Sequence, residues 1–442
     1  MIHIPRLEGQ EQERLHAEYL VRLIRSGAIN FGCSELKQYI ERKYPFLSTD
    51  SLEFPKLGEN IQETEERFFL KKNPSVYCFL FPNDELRVEN LVWLLIGIHP
   101  TDPCSTIRDS LERLIHQIEQ KQVYPISEKR QKEISSYWIR FDRLRAGLMD
   151  ENTGEKEDTA YWLQRCLGLR TCPYCNANYT IVSAKGRFRA DLEHFFPKSK
   201  YPYLSVTLYN LFPSCPTCNK LKGDFANVLG QRKPFQKWPH ATEILFPYDE
   251  SFNQSTDNRA VFRVIPQEGE NPMAVYAGES KRFNVALVPT TKDDSAAIMA
   301  SDNQKNKIQR WIEKCGLQGQ EQADPLQEES TEHIYWKRVL CAVGLLELED
   351  VYDFHRPEVQ RIIQDYHIYQ NLTAIQERAA LIPLAGDSQR NLDAVEKLAR
   401  RTLFFADIEP ESWANMPLNK LKADILEQLD ELKALGIQKE II

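Results

Sequence analysis

Cys172-Pro173-Tyr174-Cys175 and, some forty residues later, Cys215-Pro216-Thr217-Cys218 are the two stretches on which the reading of this chain turns. Each Cys-x-x-Cys sets two thiolates on one tight knuckle, and a tetrahedral zinc ion needs two such knuckles facing each other. The spacing therefore predicts a closed structural site of Cys172, Cys175, Cys215 and Cys218. A thioredoxin-like redox centre would need only one of the pairs. The interval between them exceeds that of the shortest zinc ribbons, so it must contain structure of its own. The other six cysteines (33, 78, 104, 166, 315 and 341) are scattered singly and read as small apolar side chains.

Between the knuckles stands Asp191-Leu192-Glu193-His194-Phe195-Phe196-Pro197-Lys198. Thr180 to Ser183, a turn at Lys185-Gly186, and Phe188 to His194 read as a hairpin. Glu193 and His194 would point to opposite faces of a continuing strand. Pro197 ends the strand, so that one side chain can bind a cation while its neighbour addresses water. Downstream, Asn210-Leu211-Phe212-Pro213-Ser214 leads into the second knuckle, and Asn219 follows Cys218 directly. An ion that fixes Cys218 also fixes the Asn219 amide. A hard, oxygen-seeking cation such as Mg²⁺ can then lie between Glu193 and Asn219. Asn210 reads either as an amide holding the intervening loop or as a plain turn cap.

The order Cys-x2-Cys, Asp-x-Glu-His-x2-Pro-Lys, Asn-Leu, Cys-x2-Cys-Asn-x2-Lys-Gly-Asp resembles the HNH, or ββα-metal, nucleases. The resemblance spans Cys172 to about Ala226 and rests on eight or more positions that agree in order and spacing. It implies an endonuclease in which His194 is the general base, Glu193 and Asn219 hold a catalytic Mg²⁺ or Mn²⁺, and Asn210 orients the base through the loop. Asp is the commonest family residue before the His, so Glu193 is a departure, and Asp191 ranks below it as a site residue. The wider pattern is similar to the HNH subunits of bacterial anti-phage systems, above all to the Septu-type nuclease, which works with a partner ATPase. DNA is the favoured polymer. An RNA- or tRNA-cleaving effector, a zinc-stapled reader without catalysis, and a nuclease silent until its partner arrives are the alternatives.

Charge agrees with a polyanionic partner only locally. The 442-residue chain carries a formal net charge of −8. From Ile181 to His240, however, ten Lys and Arg face only Asp191, Glu193 and Asp224, a net +7 that leaves −15 on the remainder. A basic surface on an acidic protein still supplies phosphate contacts. Lys198, Lys200, Lys220 and Lys222 are candidates for gripping the nucleic-acid backbone, and Tyr201, Tyr203 and Trp238 for stacking on bases.

The rest of the chain frames this segment. Three regions are expected: a mainly helical 1–165, a nuclease unit over 166–244, and short strands followed by helices over 245–442, an α+β protein overall. Helices are read at Gln10 to Ser26, Asp84 to Ile98, Ser105 to about Gln122, Glu332 to Leu346 and Leu418 to Leu435. The last reads as a solvated amphipathic helix. Ala260 to Ile265, Met273 to Ala277 and Phe283 to Val288 read as strands, and the acidic Met149 to Asp158 as a boundary. No apolar run approaches the roughly 18 residues of a membrane span, and Met1 to Arg6 shows no signal-peptide pattern. A cytoplasmic location with no membrane partner is the expectation.

Overall fold

A computed structural model describes residues 2–4, 7–29, 32–47, 74–101, 104, 106–121, 141–145, 147–149, 156–183, 188–223, 244–252, 259–290, 331–370 and 416–434. Helices dominate, with three small antiparallel sheets of two strands each among the described residues. This is the mixed α+β architecture that the sequence predicts. No helix among the described residues is long and apolar enough to cross a membrane.

The N-terminal helices are α1 (Gly9–Arg25), α2 (Cys33–Lys43), α3 (Pro74–Leu80), α4 (Val88–Ile96) and α5 (Ile107–Glu119). In α1, Leu15, Tyr19, Leu20, Leu23 and Ile24 recur at helical spacing and all are buried. Helix α4 starts later than Asp84. Pro82–Asp84 form a separate 3-10 turn with Asn83 left-handed (φ 60°), so Asp84 does not open the helix. Its six residues Leu91 to Ile96 are all buried, and Gly97 ends it at φ 97°. A Cβ on Gly97 would stand 3.0 Å from the Leu111 side chain and 3.2 Å from that of Thr207, so these side chains pack directly on the Gly97 backbone.

Those contacts matter because they hold the central segment. The Thr207 hydroxyl donates to the Leu94 carbonyl (2.6 Å) and the Tyr19 hydroxyl to the Val206 carbonyl (2.8 Å). At its N-terminus α5 is capped by Asp249, whose carboxylate accepts from the Ile107 and Arg108 amides (3.1 and 2.7 Å). The buried Arg108 guanidinium donates to the Ile244 carbonyl, pairs with Glu250 at 3.4 Å and lies 5.2 Å from the Phe195 ring.

Strands β1 (Gly147–Met149) and β2 (Lys156–Asp158) pair where the sequence suggests a boundary, and Asp158 then caps α6 (Thr159–Leu167) by accepting from the Tyr161 amide. Next come β3 (Asp191–His194), β4 (Leu211–Ser214) and α7 (Pro216–Lys222). Their register pairs Asp191 with Ser214 and His194 with Leu211. Of the hairpin expected from residue 180 onward, the turn at Lys185-Gly186 lies outside the described residues. Strand β3 takes β4 as its partner, and of the expected pairing one main-chain bond, Ser183 to Phe188 (2.9 Å), is present among the described residues.

In the C-terminal region β5 (Arg259–Pro266) pairs along its whole length with β6 (Phe283–Thr290). The intervening Met273 to Ala277 is not a strand. Asn271 caps and Pro272 opens a short helix, α8 (Pro272–Tyr276). Helices α9 (Thr331–Leu345), α10 (Leu348–Asp353), α11 (Arg356–Gln370) and α12 (Asn419–Ala434) complete the description. Helix α12 is not solvated. Leu421, Ile425, Leu426, Leu429 and Leu432 are buried, and its side chains stand in for a third strand beside β5. Asp424 accepts from the Phe262 amide, and Gln428 both accepts from the Val264 amide and donates to its carbonyl. An edge that would otherwise expose unpaired backbone groups is thereby covered. One contiguous buried cluster runs from Ile2 to Leu432 through all three regions.

Candidate metal centre and adjoining cleft

The two knuckles converge. The four sulfurs of Cys172, Cys175, Cys215 and Cys218 lie within 4.8 Å of one another and all four residues are buried. Cys175 Sγ and Cys215 Sγ are 4.0 Å apart. Tetrahedral zinc with bonds of about 2.3 Å requires sulfurs roughly 3.8 Å apart, so the donor set fits a thiophilic ion such as zinc. Amides already point at the sulfurs. The Ala177 and Cys218 backbone N–H groups lie 3.4 Å from Cys175 and Cys215 Sγ, and the Asn178 side chain donates to both. Thiol hydrogen bonds from the other three cysteines draw the Cys215 thiol well below its usual range, whereas burial pushes Cys172 up. Cys215 is also the N-cap of α7, so the site and the helix start are one structure.

The first knuckle is anchored from the far end of the chain. Asn176 takes the left-handed conformation (φ 52°), and its carbonyl and side-chain oxygen accept the Leu418 and Lys420 amides (2.6 and 3.2 Å). The Tyr352 hydroxyl donates to the Cys175 carbonyl. Nothing in the spacing of the cysteines signals these partners, which are more than 170 residues away.

Beside the thiol cluster lies a cleft of about 250 Å³ lined by Asp191, Glu193, His194, Lys198 and Asn219, with Phe141 and Arg189 on its walls. Strand β3 supplies the carboxylates two residues apart, hence on one face. Helix α7 supplies Asn219, whose Nδ2 donates to Asp191 Oδ2 (3.1 Å) and leaves Oδ1 as its acceptor. His194, last residue of β3, is buried. Its Nε2 lies 3.0 Å from the Ser205 carbonyl, and its ring meets the Phe141 ring edge-on at 4.6 Å. Burial holds the imidazole neutral, with its pKa lowered to about 4. Since a carbonyl can only accept, Nε2 carries the hydrogen and Nδ1 keeps the lone pair.

Asn210 is fully buried and does not line the cleft, so it is a positioning residue and not one that touches reacting atoms. Its Oδ1 accepts from the Phe196 amide (2.7 Å), and its Nδ2 donates to the Phe196 and Leu204 carbonyls (3.1 Å each). It thus continues the β3–β4 ladder with a side chain and closes the loop that presents Ser205 to His194. Three buried bonds rest on one amide, so Asn210→Ala is expected to lower unfolding free energy by about 3 kcal/mol in urea titration. A loss below about 1 kcal/mol would show that the loop is held by other means.

The lysines do not act alike. Lys198 is exposed at the cleft, its ammonium 4.9 Å from the Phe141 ring. Lys200 and Lys220 are exposed but do not line the cleft. Lys222, expected to grip phosphate, is instead fully buried, with its ammonium 2.6 Å from Glu193 Oε1 and 2.9 Å from the His194 carbonyl. Burial pushes the Glu193 carboxyl up against the opposing pull of Lys222. Tyr201 and Tyr203 are buried among other aromatics and offer no face for stacking, while Asp224 and Trp238 lie outside the described residues.

Comparison with protein-family models, with curated proteins and with solved structures returns no match. The site therefore has to be read from its own chemistry. Phe141 and Arg189 are the cleft residues that motif reading does not single out. Phe141 precedes the motif by some fifty residues and carries no signal, whereas Arg189 stands two residues before Asp191 and is one of the cations of the basic segment.

Proposed function

We propose that this chain is a metal-dependent endonuclease of the HNH type, hydrolysing phosphodiester bonds with DNA as the favoured polymer. One observation carries the reading. A neutral histidine with Nε2 committed to a backbone carbonyl shares a cleft with two carboxylates and an amide oxygen, beside a basic residue at the rim. The motif resemblance supports the same assignment independently of the geometry.

Asp191, Glu193 and the Asn219 amide oxygen are hard donors that would hold Mg²⁺ or Mn²⁺, an ion that when bound neutralises charge on the phosphorane-like transition state and the leaving oxygen. His194 Nδ1 takes a proton from a water molecule, whose oxygen forms the new bond to phosphorus as the ester oxygen departs. Ser205 fixes the tautomer, Asn210 fixes Ser205, and Lys198 holds a non-bridging phosphate oxygen. Lys222 pairs with Glu193 at 2.6 Å. That pair also favours a second reading, a zinc-stapled module that binds nucleic acid without cutting it.

Purified protein incubated with plasmid, single-stranded DNA and total RNA, with and without added Mg²⁺ or Mn²⁺, separates the two. The expected result is cleavage of DNA that depends on the added ion. Binding without cleavage of any polymer, under every metal condition, would support the second reading. The similarity to anti-phage HNH subunits makes an ATPase the partner of choice, and adding one should raise the rate.

A further inference from the structure

Six large hydrophobic side chains are exposed among the described residues, and three of them, Tyr179, Ile181 and Phe188, fall within ten residues of sequence. They sit on a narrow ribbon that leaves the first cysteine knuckle. The Cys172 amide bonds to the Asn178 carbonyl and the Thr180 amide to that of Arg170 (2.9 and 2.8 Å), so the two limbs of the knuckle pair. Ser183 then bonds to Phe188 (2.9 Å), and the next residue, Arg189, lines the cleft. Its described residues thus reach from the thiol cluster, at Cys172, to the cleft, at Arg189. Its large side chains, 55%, 56% and 58% exposed, have no core to serve.

We infer that this ribbon is the track on which an unpaired strand of nucleic acid lies as it enters the cleft, with bases stacked on Tyr179 and Phe188 and phosphates held by Arg170, Arg189 and Lys198. The inference rests on the nuclease reading above and names the form of its substrate. Charge favours a polyanion over a protein. Residues 169–190 contain four Lys or Arg and no Asp or Glu, and Arg170 is exposed beside the Thr180 backbone that follows Tyr179. Exposed aromatic faces alternating with cations are how single strands are held without regard to sequence. Stacked, paired bases of a duplex present no face to such side chains, so the duplex is the poorer fit.

The test is binding, measured apart from cleavage. With His194→Ala protein and no added divalent ion, a fluorescent single-stranded oligonucleotide and a duplex of the same sequence are titrated by anisotropy. Phe188→Ala is expected to weaken single-strand binding about tenfold and duplex binding far less, and Phe188→Trp to restore it. Phe188 is exposed, so thermal melts of the three proteins should coincide. Equal single-strand affinity in the alanine and parent proteins overturns the inference. So does a loss of self-association by Phe188→Ala in sedimentation with strand binding intact, which would make the ribbon a protein contact. If wild-type protein cuts nothing but Phe188→Ala still loses the strand, the nuclease reading falls and the track stands. If it cuts and the variant binds normally, the reverse holds.

Discussion

Replacing Cys215 by serine is expected to unfold the strand–strand–helix segment and to release helix α12 from the knuckle that anchors it. The thiol cluster is not an ornament on a finished fold. Cys215 supplies a sulfur to the cluster, the N-cap of α7 and an acceptor for the Cys218 amide. Binding of a structural zinc by four thiolates is worth about 10–16 kcal/mol at neutral pH, as much as the whole stability of a typical domain, about 5–15 kcal/mol. A site that loses one thiolate loses much of that, and four buried thiols without an ion cannot all ionise in close contact. The consequence travels outward, because the same knuckle holds Leu418 and Lys420 through Asn176 and receives the Tyr352 hydroxyl. Metal analysis should find about one zinc per wild-type chain. In Cys215→Ser, hydrogen exchange should rise in β3, β4 and α7 and also in residues 416–434. Wild-type protein holding less than about half an atom of zinc while fully folded would sink the four-thiolate site.

The cysteines were legible because metal chemistry fixes ligand type and spacing together, whatever the tertiary context. The β5 and β6 strands and the α1, α5, α9 and α12 helices were legible because local periodicity suffices for long elements. The failures share a cause. Strand β3 could take its partner from the adjacent 180–183 or from 211–214, and sequence distance favours the former, but the buried apolar pair Leu211 and Phe212 decides for the latter. Met273 to Ala277 has a strand-like composition, yet Asn271-Pro272 is a helix start, and that cap signal outweighs the short run. Lys222 lies in a basic, surface-like stretch, and only its position one turn after Asn219, over the face that meets Glu193, turns it inward. For α12 the stripe was visible, but the sequence does not reveal that Asp424 and Gln428 on it would serve the β5 edge.

His194→Ala is expected to reduce cleavage by at least about 10²-fold, and towards 10⁴-fold if proton abstraction limits the rate, while leaving the fold in place. The structural case is that the backbone of residue 194 pairs with Leu211 whatever its side chain, and among the described residues the imidazole makes a single hydrogen bond, to Ser205. Losing it frees a carbonyl at a cost of about 1–3 kcal/mol, not enough to unfold a chain whose core runs from Ile2 to Leu432. The chemical case is that, among the described residues, no other side chain on the cleft wall offers a neutral lone pair beside Asp191, Glu193 and Asn219. His194→Gln separates the two contributions. Its Nε2 can still donate to the Ser205 carbonyl and keep the loop closed, but an amide oxygen does not take up a proton near neutral pH. It should therefore melt like wild type and cut as poorly as the alanine variant. Should either variant cleave DNA at the wild-type rate under matched Mn²⁺, with melting unchanged, the water must be activated by some other group, and the imidazole would be only a buried strut between β3 and the Ser205 loop.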